Sequence, residues 1–126
     1  MEEVHACWRQ RQLVLARDAA DLFCVDLRAT TELETPPFDV RIESTGVRVG
    51  YWRSYATSTV MAITAPEVIC EVSNLMQDEV VEDIHSGWPM CPQHSVEAYP
   101  RLVEDQAVWY CRTFQHIVAP IGRLAR

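Results

Sequence analysis

Trp88-Pro89-Met90-Cys91-Pro92-Gln93-His94 and Trp109-Tyr110-Cys111-Arg112-Thr113-Phe114-Gln115-His116 are the two segments on which the reading of this chain turns. Each carries a thiol and an imidazole a few residues apart, Cys91 with His94 and Cys111 with His116, and each reads as a short loop. Sixteen residues, Ser95 to Tyr110, separate the pairs. That is enough to leave one tight turn and return along a hairpin, so both pairs can converge on one ion. Thiolate sulfur with imidazole nitrogen is a donor set that zinc favours. The expectation is therefore a four-coordinate zinc site built by Cys91, His94, Cys111 and His116 in a zinc-ribbon-like hairpin over residues 88–126.

His85, just upstream, competes with His116 for the fourth position. A closed site of four ligands is structural, because binding energy is then folding energy. An open site of three ligands and a water is catalytic, and Glu79 or Glu82 is then the nearest general base in sequence. Cys91 as a nucleophile with His94 as its base is a third reading. Two groups in one tight loop share a metal more readily than they align for an in-line attack.

Outward from these loops, Tyr99–Val103 and Ala107–Cys111 read as strands joined at Glu104-Asp105-Gln106, and Ile117–Ile121 is a last apolar run. Upstream, Thr64-Ala65-Pro66-Glu67 matches a capping box, in which the threonine hydroxyl takes an amide of the first turn. Ile69, Val72, Leu75, Met76, Val80 and Ile84 follow at threes and fours, so an amphipathic helix starts there and stops before Gly87 and Pro89. Its second half holds Asp78, Glu79, Glu82 and Asp83, against the helix dipole. That is either a solvated acidic face or a docking place for a cation or an arginine-rich partner.

Period two governs the middle of the chain. Phe38, Val40 and Ile42 alternate with Asp39, Arg41 and Glu43; after Ser44-Thr45-Gly46, Val47, Val49 and Tyr51 repeat the pattern, and Thr59–Ile63 is a third run. This predicts an antiparallel meander with one face to be covered by the helix. At the start, Val4, Trp8, Leu15, Ala19 and Leu22 predict a helix from Glu2 to about Ala20, interrupted at Arg11 and Gln12. The alternation of Phe23, Val25 and Leu27 predicts a short strand after it. Trp52, on the polar face of its strand beside Arg53 and Tyr55, suits a ligand pocket, a partner surface or a second covered face.

The quoted loops resemble those of a group of small actinobacterial proteins whose shared pattern is Trp-Pro-x-Cys-Pro-x-His, a spacer, Ala-Val-Trp-x-Cys-Pro and a terminal Ile-Gly-x-Leu. Here these are Trp88 to His94, Ala107 to Cys111 and Ile121 to Leu124, roughly the last third of the chain. Arg112 stands where the group has proline, and Ser95-Val96 replaces a Gly-His that commonly follows the first histidine. The resemblance implies a zinc-ribbon-like end and brings no activity with it.

Composition sets the outer bounds. A chain of 126 residues, 48% apolar, is the size of one domain and can bury an ordinary core. The net charge of −7 argues against nucleic acid as a partner, and no apolar run is long enough to span a membrane. All eleven basic side chains are arginine, which excludes a Walker lysine and a Schiff-base lysine. Five cysteines without an export signal point to reduced thiols or metal ligands in the cytoplasm; Cys7, Cys24 and Cys70 read as small buried hydrophobes.

The sum is a single α+β domain over residues 1–126. It has an N-terminal helix, an antiparallel sheet of three to four strands under an amphipathic helix, and the zinc-ribbon-like hairpin. Two functions fit it. One is an accessory or interaction protein with a structural zinc, meeting a partner protein or another copy of itself. The other is a small enzyme or ligand-binding protein of specialised metabolism with a pocket between sheet and helix.

Overall fold

In the computed structural model, residues 2–33, 38–51 and 57–124 are described. They run as α1 (Glu2–Thr30), β1 (Phe38–Glu43), β2 (Gly46–Tyr51), β3 (Thr57–Thr59), α2 (Ala65–Ile84), β4 (Tyr99–Val103), β5 (Gln106–Cys111) and β6 (His116–Pro120). The fold is α+β, with two antiparallel sheets of three strands in the orders β1-β2-β3 and β4-β5-β6. Trp52, Arg53 and Tyr55 lie outside the described residues.

The first hairpin follows from alternation. Val40 pairs with Val49 and Ile42 with Val47, and the buried Val47 and Val49 turn that face inward. The third strand is shorter and earlier than Thr59–Ile63 suggests. The Val60 amide after β3 still donates to the Val47 carbonyl at 2.7 Å, but those of Met61 and Ala62 leave the ladder for the Glu71 carboxylate, at 2.7 and 2.8 Å. Met61 and Ile63 are exposed in consequence.

The strand expected at Phe23–Leu27 does not form; α1 continues through it to Thr30. A strand would place Val25 on the face of Phe23 and Leu27, yet Val25 is 44% exposed while its two neighbours of that set are fully buried. The residues that go inward are Ala16, Ala19, Ala20, Phe23, Asp26 and Leu27, at helical spacing. Gln12 is part of this face, not an interruption of it: its amide donates to the carbonyls of Val60 and Ala62 at 3.0 and 2.8 Å. Trp8 is half exposed.

Thr64 caps α2 as expected from its position, but its hydroxyl meets the Glu67 carboxylate at 2.9 Å and caps no amide. The helix ends with His85 in the left-handed conformation, φ 55°. Val68, Val72, Met76 and Val80 form its buried stripe, joined by Ser73 and Gln77.

The helices pack on each other and on the first sheet, and α2 also meets β4 and β5. Phe23 lies where the layers join. Its ring meets Phe38 of β1 edge-on at 5.8 Å, Trp88 at 5.2 Å and Trp109 of β5 at 6.0 Å. Trp88 and Trp109 touch at 5.6 Å. The C-terminal sheet thus shares one core with the rest and does not stand apart. No helix among the described residues is long and apolar enough to cross a membrane.

Candidate metal centre

Each half of the site is a loop whose backbone bonds set the spacing of its ligands. In the first, the amides of His94 and Ser95 both donate to the Cys91 carbonyl, at 3.3 and 2.8 Å, and Ser95 takes φ 55° to turn the chain back. The Cys91 amide donates to Val96 at 2.7 Å and the Ala98 amide to Pro89 at 2.7 Å, which closes the loop. Gln77 of α2 holds the loop from below. Its side-chain amide, buried, donates to the carbonyls of Trp88 at 2.9 Å and Ala98 at 2.7 Å.

The second half is a hairpin loop. Cys111 and His116 face each other as the last pair of β5 and β6, and Gln115 at φ 52° helps to turn the chain between them. Their pairing depends on a bulge. Trp109 pairs with Ala119, but Tyr110 pairs with Ile117, so Val118 is the extra residue. Without that one-residue shift Cys111 would face Ile117, and the imidazole would miss the thiol.

These two loops bring Cys91, His94, Cys111 and His116 together, with their ligand atoms all within 4.8 Å of one another. His94 Nδ1 lies 3.4 Å from Cys91 Sγ and 3.9 Å from Cys111 Sγ. His116 Nε2 lies 3.1 Å from Cys91 Sγ and 3.2 Å from His94 Nδ1. A tetrahedral ion with bonds of about 2.3 Å to sulfur and about 2.0–2.1 Å to nitrogen sets edges of about 3.6 Å between S and N and about 3.3 Å between two N. The donors stand close to those separations, so the residues fit a metal ion.

The protonation chemistry agrees. Burial pushes the Cys91 thiol up, but the Gln93 and His94 amides and the His94 and His116 imidazoles outweigh it, and the thiol is lowered to about 6. A thiolate is the form that ligates. With Nε2 of His116 turned to the cluster, its Nδ1 is left to donate to the Ile117 carbonyl at 3.2 Å, which orients the ring. Both sulfur atoms belong to fully buried, unpaired cysteines.

All four residues expected from the spacing are brought together, and His85, exposed at the end of α2, is not among them. Glu82 is exposed, and Glu79 lines a cleft with Phe38, Val49 and Ser58 against the first sheet. Neither joins the group. Of the remaining cysteines, Cys24 is buried, Cys70 half-buried and Cys7 exposed.

Phe114 is a participant that the spacing of ligands did not announce. Its ring stacks on the His94 imidazole with centroids 3.7 Å apart and planes at 13°. An aromatic residue in an otherwise polar four-residue loop was the available signal. The chain matches no protein-family model, no curated protein and no solved structure, so its site is read from geometry alone.

Proposed function

We propose that Cys91, His94, Cys111 and His116 hold a structural zinc ion, and that the protein is a non-catalytic accessory or interaction protein. The observation that carries this is the gathering of two thiols and two imidazoles within 4.8 Å, on two loops fixed by their own backbone bonds. Four protein donors fill a tetrahedral sphere and leave no place for a water or substrate. Thiolates with imidazoles favour zinc over calcium or magnesium, which take oxygen ligands. Residues 88–126 then belong with zinc-ribbon-like hairpins. The exposed Asp78, Glu82 and Asp83, on a helix with no basic residue in its last turn, form the surface that a partner protein would meet.

The competing reading, an enzyme or binding protein with its pocket between sheet and helix, has less behind it. The cleft between α2 and the first sheet encloses ≈ 110 Å³. That is well below the roughly 300–1,000 Å³ of ordinary ligand pockets.

Metal analysis of protein purified without a histidine tag tests the proposal. One zinc per chain is expected in the parent, and little in Cys91→Ser or Cys111→Ser. Stoichiometric zinc in both variants, or a different metal in the parent, overturns it.

A further inference from the structure

A larger cavity, ≈ 610 Å³, is lined in part by the loop that carries Cys91. Its walls are the loop from Trp88 to Pro92, Val118 and Ala119 of β6, and Leu124. This size and this apolar lining are those of small-molecule sites. We infer that the cavity binds a free small-molecule carboxylate with an apolar body, taken up by Arg123 at its edge.

Among the described residues, Arg123 is the one charged side chain lining the cavity. It is exposed and makes no ion pair among the described residues, in a chain that carries eighteen acidic groups and a net charge of −7. The other side-chain polar groups of the described lining are engaged with each other: the Thr30 hydroxyl donates to the Asp26 carbonyl at 2.8 Å and accepts from Trp88 Nε1 at 3.0 Å. Recognition at this site therefore falls to a guanidinium, whose planar fork matches a carboxylate with two parallel bonds.

Arg123 also sits on a rigid mount. Its amide donates to Pro120 at 3.0 Å, closing a turn whose third residue, Gly122, has φ +100°. That φ strains any residue with a Cβ, which would also approach Leu22 Cδ2 to 2.6 Å, so the turn favours glycine. On either side of Arg123, the amides of Gly122 and Leu124 donate to the buried Asp26 carboxylate, at 2.6 and 2.9 Å. Trp109 Nε1 donates to the same group at 2.7 Å. The carboxylate thus fixes the backbone that presents the guanidinium, and a mount ordered in advance reduces the entropy lost when an anion is caught. Nothing in this depends on which ion the neighbouring centre holds.

Calorimetric titration of the purified chain with decanoate and with decanol, its uncharged counterpart, tests the inference. The parent should take up one decanoate per chain, saturably and more tightly than decanol. Arg123→Gln, a surface change, should weaken decanoate by about tenfold and leave decanol unchanged. Ala119→Trp should fill the cavity and abolish both, with circular dichroism to establish that the variant is folded. Failure of the parent to saturate, equal decanoate affinity in parent and Arg123→Gln, or uptake that survives in folded Ala119→Trp overturns the inference.

Discussion

The two sheets have the same topology, three antiparallel strands in sequential order, and are secured in opposite ways. The first turns an alternating apolar face, Val47 and Val49 with Val60 just beyond β3, into the core. The second buries Ala107 and Trp109 but depends as well on polar anchors. Asp26 of α1 accepts Trp109 Nε1 and two amides past β6, Gln77 of α2 carries the loop before β4, and two thiols with two imidazoles gather at its turns. Its outer face is covered by arginines laid on tyrosines, Arg101 over Tyr110 at 4.4 Å and Arg112 over Tyr99 at 4.0 Å. Burial is tolerant of small changes in shape; a metal and a buried carboxylate are not. The second sheet should therefore be the more specific and the more easily broken by loss of one group.

Metal removal is the largest expected break. Structural zinc contributes about 10–16 kcal/mol in small peptides at neutral pH, comparable with the roughly 5–15 kcal/mol that a whole domain possesses. Stripping the ion with a chelator should erase amide-exchange protection in β4, β5, β6 and the loop from Trp88 to Ala98. Protection of β1 and β2 should fall less. Equal loss in both sheets would mean that the shared Phe23, Trp88 and Trp109 cluster couples them, so that the ion secures the whole domain and not the C-terminal sheet alone.

This contrast also governs what the sequence could disclose. Alternation made β1 and β2 legible, since a half-buried strand is the one regular element with a period of two, whereas β4 and β5 were legible as apolar runs on either side of the turn at Glu104-Asp105-Gln106. Helix α2 was legible from its stripe. The part of α1 beyond Ala20 was not, because Phe23, Val25 and Leu27 alternate by accident. The four candidate metal ligands were legible as pairs. Choosing His116 over His85 needed the bulge at Val118, and a bulge is not written in ligand spacing. The Asp26 anchor was out of reach, because its partners lie 83 to 98 residues away along the chain.

Asp26→Asn sharpens the comparison at the next scale. Oδ2 accepts from Trp109 and Gly122 and Oδ1 from Leu124, so an asparagine has to turn its NH₂ toward one of these donors. A mismatched buried donor costs about 1–3 kcal/mol, and the loss should appear in urea unfolding. The pH dependence follows from burial, which raises the Asp26 carboxyl, against the three N–H groups, which lower it; burial prevails. The native state then holds this proton more tightly than the unfolded chain. The stabilising term is complete below the ordinary carboxylate range and is lost as pH rises through the raised native value. The stability advantage of the parent over Asp26→Asn should accordingly shrink from about pH 4 toward neutrality and then level off. An advantage that grows over that range would mean the three donors outweigh burial.

Phe114 tests the smallest of these contributions, because it touches the centre without being a ligand. Its ring is 53% exposed, so little apolar area is at stake, and its effect has to come through the stack on His94. That stack covers one face of the imidazole and holds its plane. A stacked aromatic pair contributes about 0.5–1.5 kcal/mol beyond area burial, which is up to about tenfold in metal affinity if the whole of it is spent on ring orientation. Phe114→Ala should therefore keep one zinc per chain yet lose it to a competing chelator up to about tenfold more readily. Phe114→Tyr, which preserves the ring, should behave as the parent. Were alanine and tyrosine to hold the ion equally well, the ring would be a passive cover, and the backbone turn at Ser95 would suffice to place the His94 imidazole.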